Sequence, residues 1–362
     1  MPTVLITGLT GFACRVLILK IALHIADRFL SAGYNVRGTV RSKEKGEHVL
    51  SLPAFQEARA DGRLEYSVVE DVITGDYTRA MKGVDVVLHA ASPVNMSNNQ
   101  TWEEIRDPAV DGTMAVHLAA AKESSVKHVM HLSSFASMCN WLETMEEQDG
   151  RVYDETFWNP ITENEAAQLP DILSEERLLA LGGMIGGIRY CASKKFSELA
   201  GLELRRRPEV NYKLTVLCPP TVLGPTLDTI TPPAQQGWSV GTFVALLAGK
   251  QAPVPPAALL NYVDVRDLAE AAIRVVERGV DGRLGIAAGH YDHQLIADRM
   301  RTLFPHLDER IPLGHPGEYQ SVKGPKNTLN SAKASELLGL SYRPFDDTVR
   351  GAVESISSME RM

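Results

Sequence analysis

In the stretch "YCASKKFSE" a tyrosine and a lysine stand four residues apart, Tyr190 and Lys194, a spacing that puts both on one face of a helix. An ammonium beside a phenol favours the phenolate and lowers the phenol pKa from about 10 toward working pH. Such a phenol can give a proton to a carbonyl oxygen as hydride arrives. Upstream, the apolar run in "HVMHLSSFAS" ends in Ser133 and Ser134, where a strand-end hydroxyl could hold the same oxygen. A Tyr-x-x-x-Lys pair alone arises by chance in many helices, so its meaning depends on the elements that position it.

The first such element is "TVLITGLTGF", a β-branched strand running into Gly-x-x-Gly. Gly8 can take the tight turn, and Gly11 lets backbone N–H groups approach a pyrophosphate at a helix N-terminus. The next strand-like run ends in "VRGTVRS", with Arg41 and then Lys45 where an NAD site would carry an acid for the ribose 2′-hydroxyl. Two cations there favour a 2′-phosphate, hence NADP(H). Inside the turn, "ACRVLILK" (residues 13–20) reads as an insertion: without it Ala22 falls at the third small position of the turn, and with it Cys14 does. The helix would then run from about residue 12 to 32, with Ile18, Ala22, Ile25, Ala26, Phe29 and Leu30 as its apolar stripe and Lys20, His24, Asp27, Arg28 and Ser31 opposite. The expectation is a graft into a fold set without it, the alternative a lid or interface over the cofactor, and in either case an apolar insert beside the pyrophosphate should perturb the turn, so that its deletion improves cofactor affinity and thermal stability.

Strand-like and helix-like runs alternate over the first two thirds of the chain, through "TVLIT", "NVRGTV", "LEYSVV", "DVVLHAA", "AVHLAAAK" and "HVMHLSS". That alternation predicts βαβ units in an α/β fold, a Rossmann-type doubly wound parallel sheet buried on both faces. "LTVLCPP" and "GRLGIAAG" supply two further strands. Residues 1–222 and 261–290 are assigned to the nucleotide-binding domain. Residues 223–260 and 291–362, with their Pro-rich or irregular text, form a smaller C-terminal substrate lobe.

At 362 residues and 44% hydrophobic content the chain can bury a large core. A net charge of −8 argues against a nucleic-acid partner, and the basic run at residues 205–207 reads as a helix end before Pro208. Cys14, Cys139, Cys191 and Cys218 lie far apart without metal spacing, so neither a disulfide framework nor a metal site is expected. The apolar run near the start is broken by Arg15, Lys20 and His24, which fits neither a signal peptide nor a membrane span; a cytoplasmic protein is the expectation.

Jointly, "TGLTGF", "VRGTVRS", "EDV", "VLHAASPV", "PAVDGT", "HLSSFAS", "YDETFWNPIT", "YCASKKFSE", "CPPTVLGP", "YVDVRDLA" and "NSAKASELLGLSYRPFDDTV" resemble the extended short-chain dehydrogenase/reductases along essentially the whole chain. The resemblance is to their dihydroflavonol-reductase-like branch of NADPH-dependent aldehyde and ketone reductases. It implies that Ser134 binds the carbonyl, that Tyr190 donates the proton, and that Lys194 holds the nicotinamide ribose and activates the tyrosine. It also implies cofactor contacts at Thr7, Gly8, Thr10, Gly11 and Phe12, and at Arg41 and Lys45. Asp71 would meet the adenine amino group, with Val72 beside it. Ala90, Ala91 and Ser92 would line ribose and phosphates, and Pro219 and Val222 would orient the nicotinamide amide. Ser133 and Cys191 are expected to pack, and Asp264 and Asp267 to cap or pair. The asparagine that many short-chain dehydrogenases carry before the serine strand has no counterpart in "DPAVDGT", as is common in this branch. The implied activity is hydride transfer to a small hydrophobic carbonyl compound by a monomer or homodimer. A nucleotide-sugar epimerase or dehydratase, and a catalytically silent cofactor sensor, are the alternatives.

Overall fold

The computed structural model describes residues 1–9, 18–91, 97–232 and 237–360. Its strands are β1 (Thr3–Thr7), β2 (Asn35–Val40), β3 (Leu64–Val68), β4 (Val86–His89), β5 (His128–Leu132), β6 (Val152–Tyr153), β7 (Lys213–Cys218), β8 (Thr221–Leu223), β9 (Asn261–Asp264), β10 (Gly282–Gly285), β11 (Gly289–His290) and β12 (Thr328–Leu329). Helices α1 (Ile18–Ser31), α2 (Lys43–Ser51), α3 (Gln56–Ala60), α4 (Thr78–Met81), α5 (Trp102–Lys122), α6 (Glu163–Ile172), α7 (Glu175–Ala180) and α8 (Ile185–Arg205) connect the first seven. Then follow α9 (Gly237–Ala245), α10 (Val265–Arg278), α11 (His293–Leu303), α12 (Gln320–Lys323), α13 (Ala332–Leu338) and α14 (Phe345–Glu360).

Seven strands make one sheet in the order β3-β2-β1-β4-β5-β7-β10, every neighbouring pair parallel. Parallel strands need helical crossovers, and these cover both faces. Along β1, Val4 and Ile6 join the core beneath α1 and α10, while Leu5 joins the core on the α5 side. In β4, Val86 and Leu88 part from Val87 in the same way. The chain reverses its direction of travel across the sheet between β1 and β4, so the crevice at their carboxyl ends is where such a sheet binds ligands. A third core is built from Leu223, Phe243, Tyr262, Tyr291, Met300 and Val353, around the small sheet β11-β9-β8 and helices α9, α11 and α14.

The doubly wound parallel sheet expected from the alternation is present, with "LTVLCPP" and "GRLGIAAG" as β7 and β10 and "AVHLAAAK" inside α5. α8 ends at Arg205, within the basic run. Residues 10–17, most of the suspected insertion, lie outside the described residues. Ala22, Ile25, Ala26, Phe29 and Leu30 are buried as the stripe requires. His24, expected on the polar side, is buried too, because its Nε2 shares a hydrogen bond of 3.1 Å with the Pro225 carbonyl.

Gly8 closes β1 with φ of +70° and lies against the end of β4: a Cβ there would stand 2.9 Å from Ala91 Cα. Gly33, after α1, has φ of +85° but open space around it. Gly33→Ala therefore costs only the backbone strain, about 1 kcal/mol, while Gly8→Ala adds displacement of β4 and costs about 3 kcal/mol. Chemical denaturation of the two variants checks this, and equal losses would remove the close approach as the reason for Gly8.

Candidate active site

Tyr190 and Lys194 lie one turn apart in α8 and both are buried. The Lys194 ammonium is 5.7 Å from the Tyr190 ring centroid. Burial pushes Lys194 down to about 8, opposed by the negative charges possible at Cys218 and Glu198. Cys218 is itself driven well up by burial and is a neutral thiol near pH 7, so Glu198 is the effective anion. Cys191, as expected, is a buried packing residue, its thiol pushed well above the usual range by desolvation.

Beyond β5 the chain is pinned to β7. The Ser133 N–H donates to the Leu217 carbonyl at 2.9 Å, and the Phe135 N–H to the Pro219 carbonyl at 2.9 Å. Ser134, half-buried between these anchors, caps the single turn at Phe135–Ser137 by accepting from the Ala136 N–H at 3.1 Å. α8 packs on that turn. Ser133 points inward and donates to Glu198 Oε2 at 2.7 Å, and Ser137 donates to the same oxygen at 2.8 Å. Glu198 Oε1 accepts from Arg283 Nε at 2.5 Å. The guanidinium lies 3.8 Å from the Trp158 ring centroid and donates to the Glu155, Phe157 and Ser137 carbonyls. Sequence reading assigned neither Glu198 nor Arg283 a role. The one signal for Glu198 was its place four residues beyond Lys194.

A second polar layer was equally unforeseen. The His89, His117 and His131 rings are all buried, with centroids 5.4 to 6.2 Å apart. Desolvation lowers all three, His117 to about 4, so they are neutral at working pH. His89 Nδ1 shares a bond of 3.0 Å with Thr7 Oγ1, and its Nε2 one of 3.2 Å with Thr113 Oγ1. Thr113 in turn shares 2.8 Å with Ser197 Oγ on α8.

At the sheet edge, Thr7 accepts from the Ala91 N–H at 3.1 Å, and Gly8 donates to Thr39 Oγ1 at 3.1 Å. Ala90 and Ala91 are buried beside them, and Pro219 and Val222 are buried after β7 and in β8. Arg41 is exposed just past β2, and Lys45 is exposed in α2, its N–H capped by Ser42. Asp71 caps no helix: it accepts from the Ile73 and Thr74 N–H groups at 2.8 and 2.7 Å, bonds that hold its carboxyl below the usual range. Val72 is buried under Gly112. Thr10, Gly11, Phe12 and Ser92 lie outside the described residues. Asp264 caps α10 and pairs with Arg266, and Asp267 pairs with Arg343. Among the aromatic residues, Phe135, Phe243 and Tyr262 are core, Trp158 lies against Arg283, and Trp141 Nε1 donates to the Ala136 carbonyl at 3.1 Å.

The approach to Tyr190 is braced by its neighbour. Pro170 inside α6 has no N–H for the Ala166 carbonyl. Arg189 Nε fills that position at 3.0 Å, while its other nitrogens donate to the Ala167 and Gln100 carbonyls at 3.0 and 2.6 Å. Asn98 also clamps the start of α8, donating to the Gly183 carbonyl at 2.9 Å and accepting from the Gly186 N–H at 3.0 Å. Gly182 and Gly183, both at positive φ, make the turn into the helix.

A Rossmann sheet whose edge presents a strand-end serine to a Tyr-x-x-x-Lys helix defines the short-chain dehydrogenase/reductase class. The NAD-binding family model described as male sterility protein matches residues 73–254, and the chain belongs to this family of extended short-chain dehydrogenase/reductases. Ketoreductase azaE of Aspergillus niger is 30% identical over 365 residues, 98% of this chain and 97% of the relative. The NADPH-dependent methylglyoxal reductase GRE2 of Saccharomyces cerevisiae is 27% identical over 369 residues, 99% of each chain. The crystal structure of Gre2 from Candida albicans in complex with NADPH superposes with a TM-score of 0.81 at 28% identity, over 99% of both chains. Among the described residues no helix is long and apolar enough to cross a membrane.

Arg189→Met removes the partners of three carbonyls and should cost about 3 kcal/mol of stability. Pro170→Ala returns an N–H to Ala166, so the double variant should recover about 1 kcal/mol of that loss. A double-mutant cycle by urea denaturation measures the coupling, and strict additivity would separate Arg189 from the α6 break.

Proposed function

We propose that the protein is an NADPH-dependent carbonyl reductase that converts an aldehyde or ketone to its alcohol. The observation that carries this reading is the buried Tyr190 and Lys194 pair on α8, packed against the pinned turn that follows Ser134. Similarity along the whole chain to NADPH-dependent reductases supports it.

The residues at the sheet edge fit a dinucleotide. Gly8 and the small Ala90 and Ala91 put no large side chain at the ends of β1 and β4, and Arg41 offers a cation for a 2′-phosphate beyond β2. In this reading Thr7, Gly8, Thr10, Gly11, Phe12, Ala90, Ala91 and Ser92 line the phosphates and ribose. Arg41 and Lys45 take the 2′-phosphate, Asp71 and Val72 the adenine, and Pro219 and Val222 the nicotinamide amide. When bound, the nicotinamide supplies the hydride. Ser134 Oγ and the Tyr190 hydroxyl hold the carbonyl oxygen, and Tyr190 gives it the proton as negative charge develops there. Lys194 donates to the nicotinamide ribose and offsets the charge left on the phenolate. We assign residues 223–260 and 291–362 as the lobe that closes over a small hydrophobic carbonyl substrate, in a cytoplasmic monomer or homodimer.

Tyr190→Phe should lose about a hundredfold or more in turnover on a simple ketone while still binding NADPH, because a positioned proton donor is worth about that much. Near-normal turnover would require another donor. Measured affinities should favour NADPH over NADH by at least about tenfold, which needs only about 1.4 kcal/mol of 2′-phosphate recognition. Arg41→Ala should erase most of that ratio in a fluorescence titration; an unchanged ratio would remove Arg41 from 2′-phosphate recognition.

A further inference from the structure

We propose that Glu198, clamped by Arg283, is a positioning residue for the reduction: its carboxylate fixes the strand-end turn that presents Ser134 and supplies the buried anion one helical turn from the Lys194 ammonium. The inference rests on the carbonyl-reductase reading and deepens it.

The geometry gives Glu198 two jobs, one per oxygen. Oε2 accepts from Ser133 at 2.7 Å and from Ser137 at 2.8 Å, the residues on either side of the Ser134–Ala136 segment. Oε1 accepts from Arg283 at 2.5 Å, and Arg283 also donates from Nη2 to Ser137 Oγ at 2.9 Å. The turn after β5 is thus held from α8 and from β10 at once. A carboxylate this buried is retained only with such full hydrogen bonding and a paired cation. The hydrophobic alternative of similar volume would fill the space without the two serine bonds.

The second job follows from the charges around Lys194. Tyr190 and Glu198 share its helix, Cys218 faces it from β7, and His89 and His131 act on it from β4 and β5. The imidazoles are neutral and the thiol is protonated, which leaves Glu198 as the anion. The Lys194 ammonium lies 5.7 Å from the Tyr190 ring centroid, and a buried anion beside them makes loss of a proton from either group harder. Removing it must therefore move the alkaline limb of the reaction to lower pH, whichever member loses the proton first.

The experiment compares wild type, Glu198→Gln, the double variant Glu198→Gln with Arg283→Gln, and Tyr190→Phe as the control on the parent reading. Thermal midpoint, kcat and KM for one ketone, and NADPH affinity by fluorescence are measured from about pH 6 to 10. For Glu198→Gln, kcat should fall about tenfold with KM little changed. The alkaline midpoints of kcat and of NADPH affinity should both drop by about one pH unit. The double variant, free of the unpaired guanidinium, should regain thermal stability while its alkaline midpoints stay below those of wild type. A stable double variant with wild-type kcat and midpoints overturns the proposal. So does a loss of kcat with unmoved midpoints, which makes the pair a scaffold only, and so does a double variant that cannot fold. If Tyr190→Phe turns over like wild type, the reductase mechanism itself fails, independently of Glu198.

Discussion

Everything at this site depends on keeping one ammonium, that of Lys194, inside the protein. Taking a cation out of water disfavours its charged form, and Lys194 is lowered to about 8 for that reason. Near neutral pH it is still charged, but with little margin, so the groups within reach of it cannot be arbitrary. A second cation without an anion of its own would drive the proton off Lys194. An anion without its own partner would be as costly as the ammonium it serves.

The buried Glu198–Arg283 pair answers both demands. The carboxylate meets Arg283 on one oxygen and two serine hydroxyls on the other, so none of its burial cost is left uncompensated by hydrogen bonds. Arg283, in turn, distributes its remaining N–H groups over carbonyls of the 137–157 loop and stacks on Trp158. Such pairs are poor sources of net stability compared with apolar packing, but breaking one partner is expensive. That asymmetry selects for a single geometry. The turn that carries Ser134, the helix that carries Tyr190 and Lys194, and the edge strand β10 cannot move independently without exposing a buried charge.

What the sequence revealed and what it concealed divide along the same line. Alternating apolar runs disclosed the parallel sheet, because each strand buries both faces and each crossover must be a helix. Tyr190 and Lys194 were visible because their spacing is local, and Ser134 because a strand ended in hydroxyls. Glu198 and Arg283 are 85 residues apart, and no local spacing relates them. His24 shows the same limit on a smaller scale: helical periodicity put it on the polar face, and a partner 201 residues away, the Pro225 carbonyl, buries it. Asp71 follows a strand, where an aspartate often caps a helix, but here the chain turns back on its carboxylate within three residues.

The three histidines show how far this constraint reaches. His89 and His131 each interact with Lys194 unfavourably when charged, and His89 with His117, so a proton on any ring would add to the cation already buried there. Desolvation keeps them neutral, which removes a potential source of repulsion and leaves His89 as a hydrogen-bonding spacer. As a spacer, His89 links Thr7 at the end of β1 to Thr113 on α5, and Thr113 passes the connection to Ser197 on α8. β1 and α8, the helix that bears Tyr190 and Lys194, are therefore joined through a chain of neutral polar contacts. In the proposed reaction that frame would hold the sites of hydride and proton delivery in one relation, without placing another charge beside the ammonium.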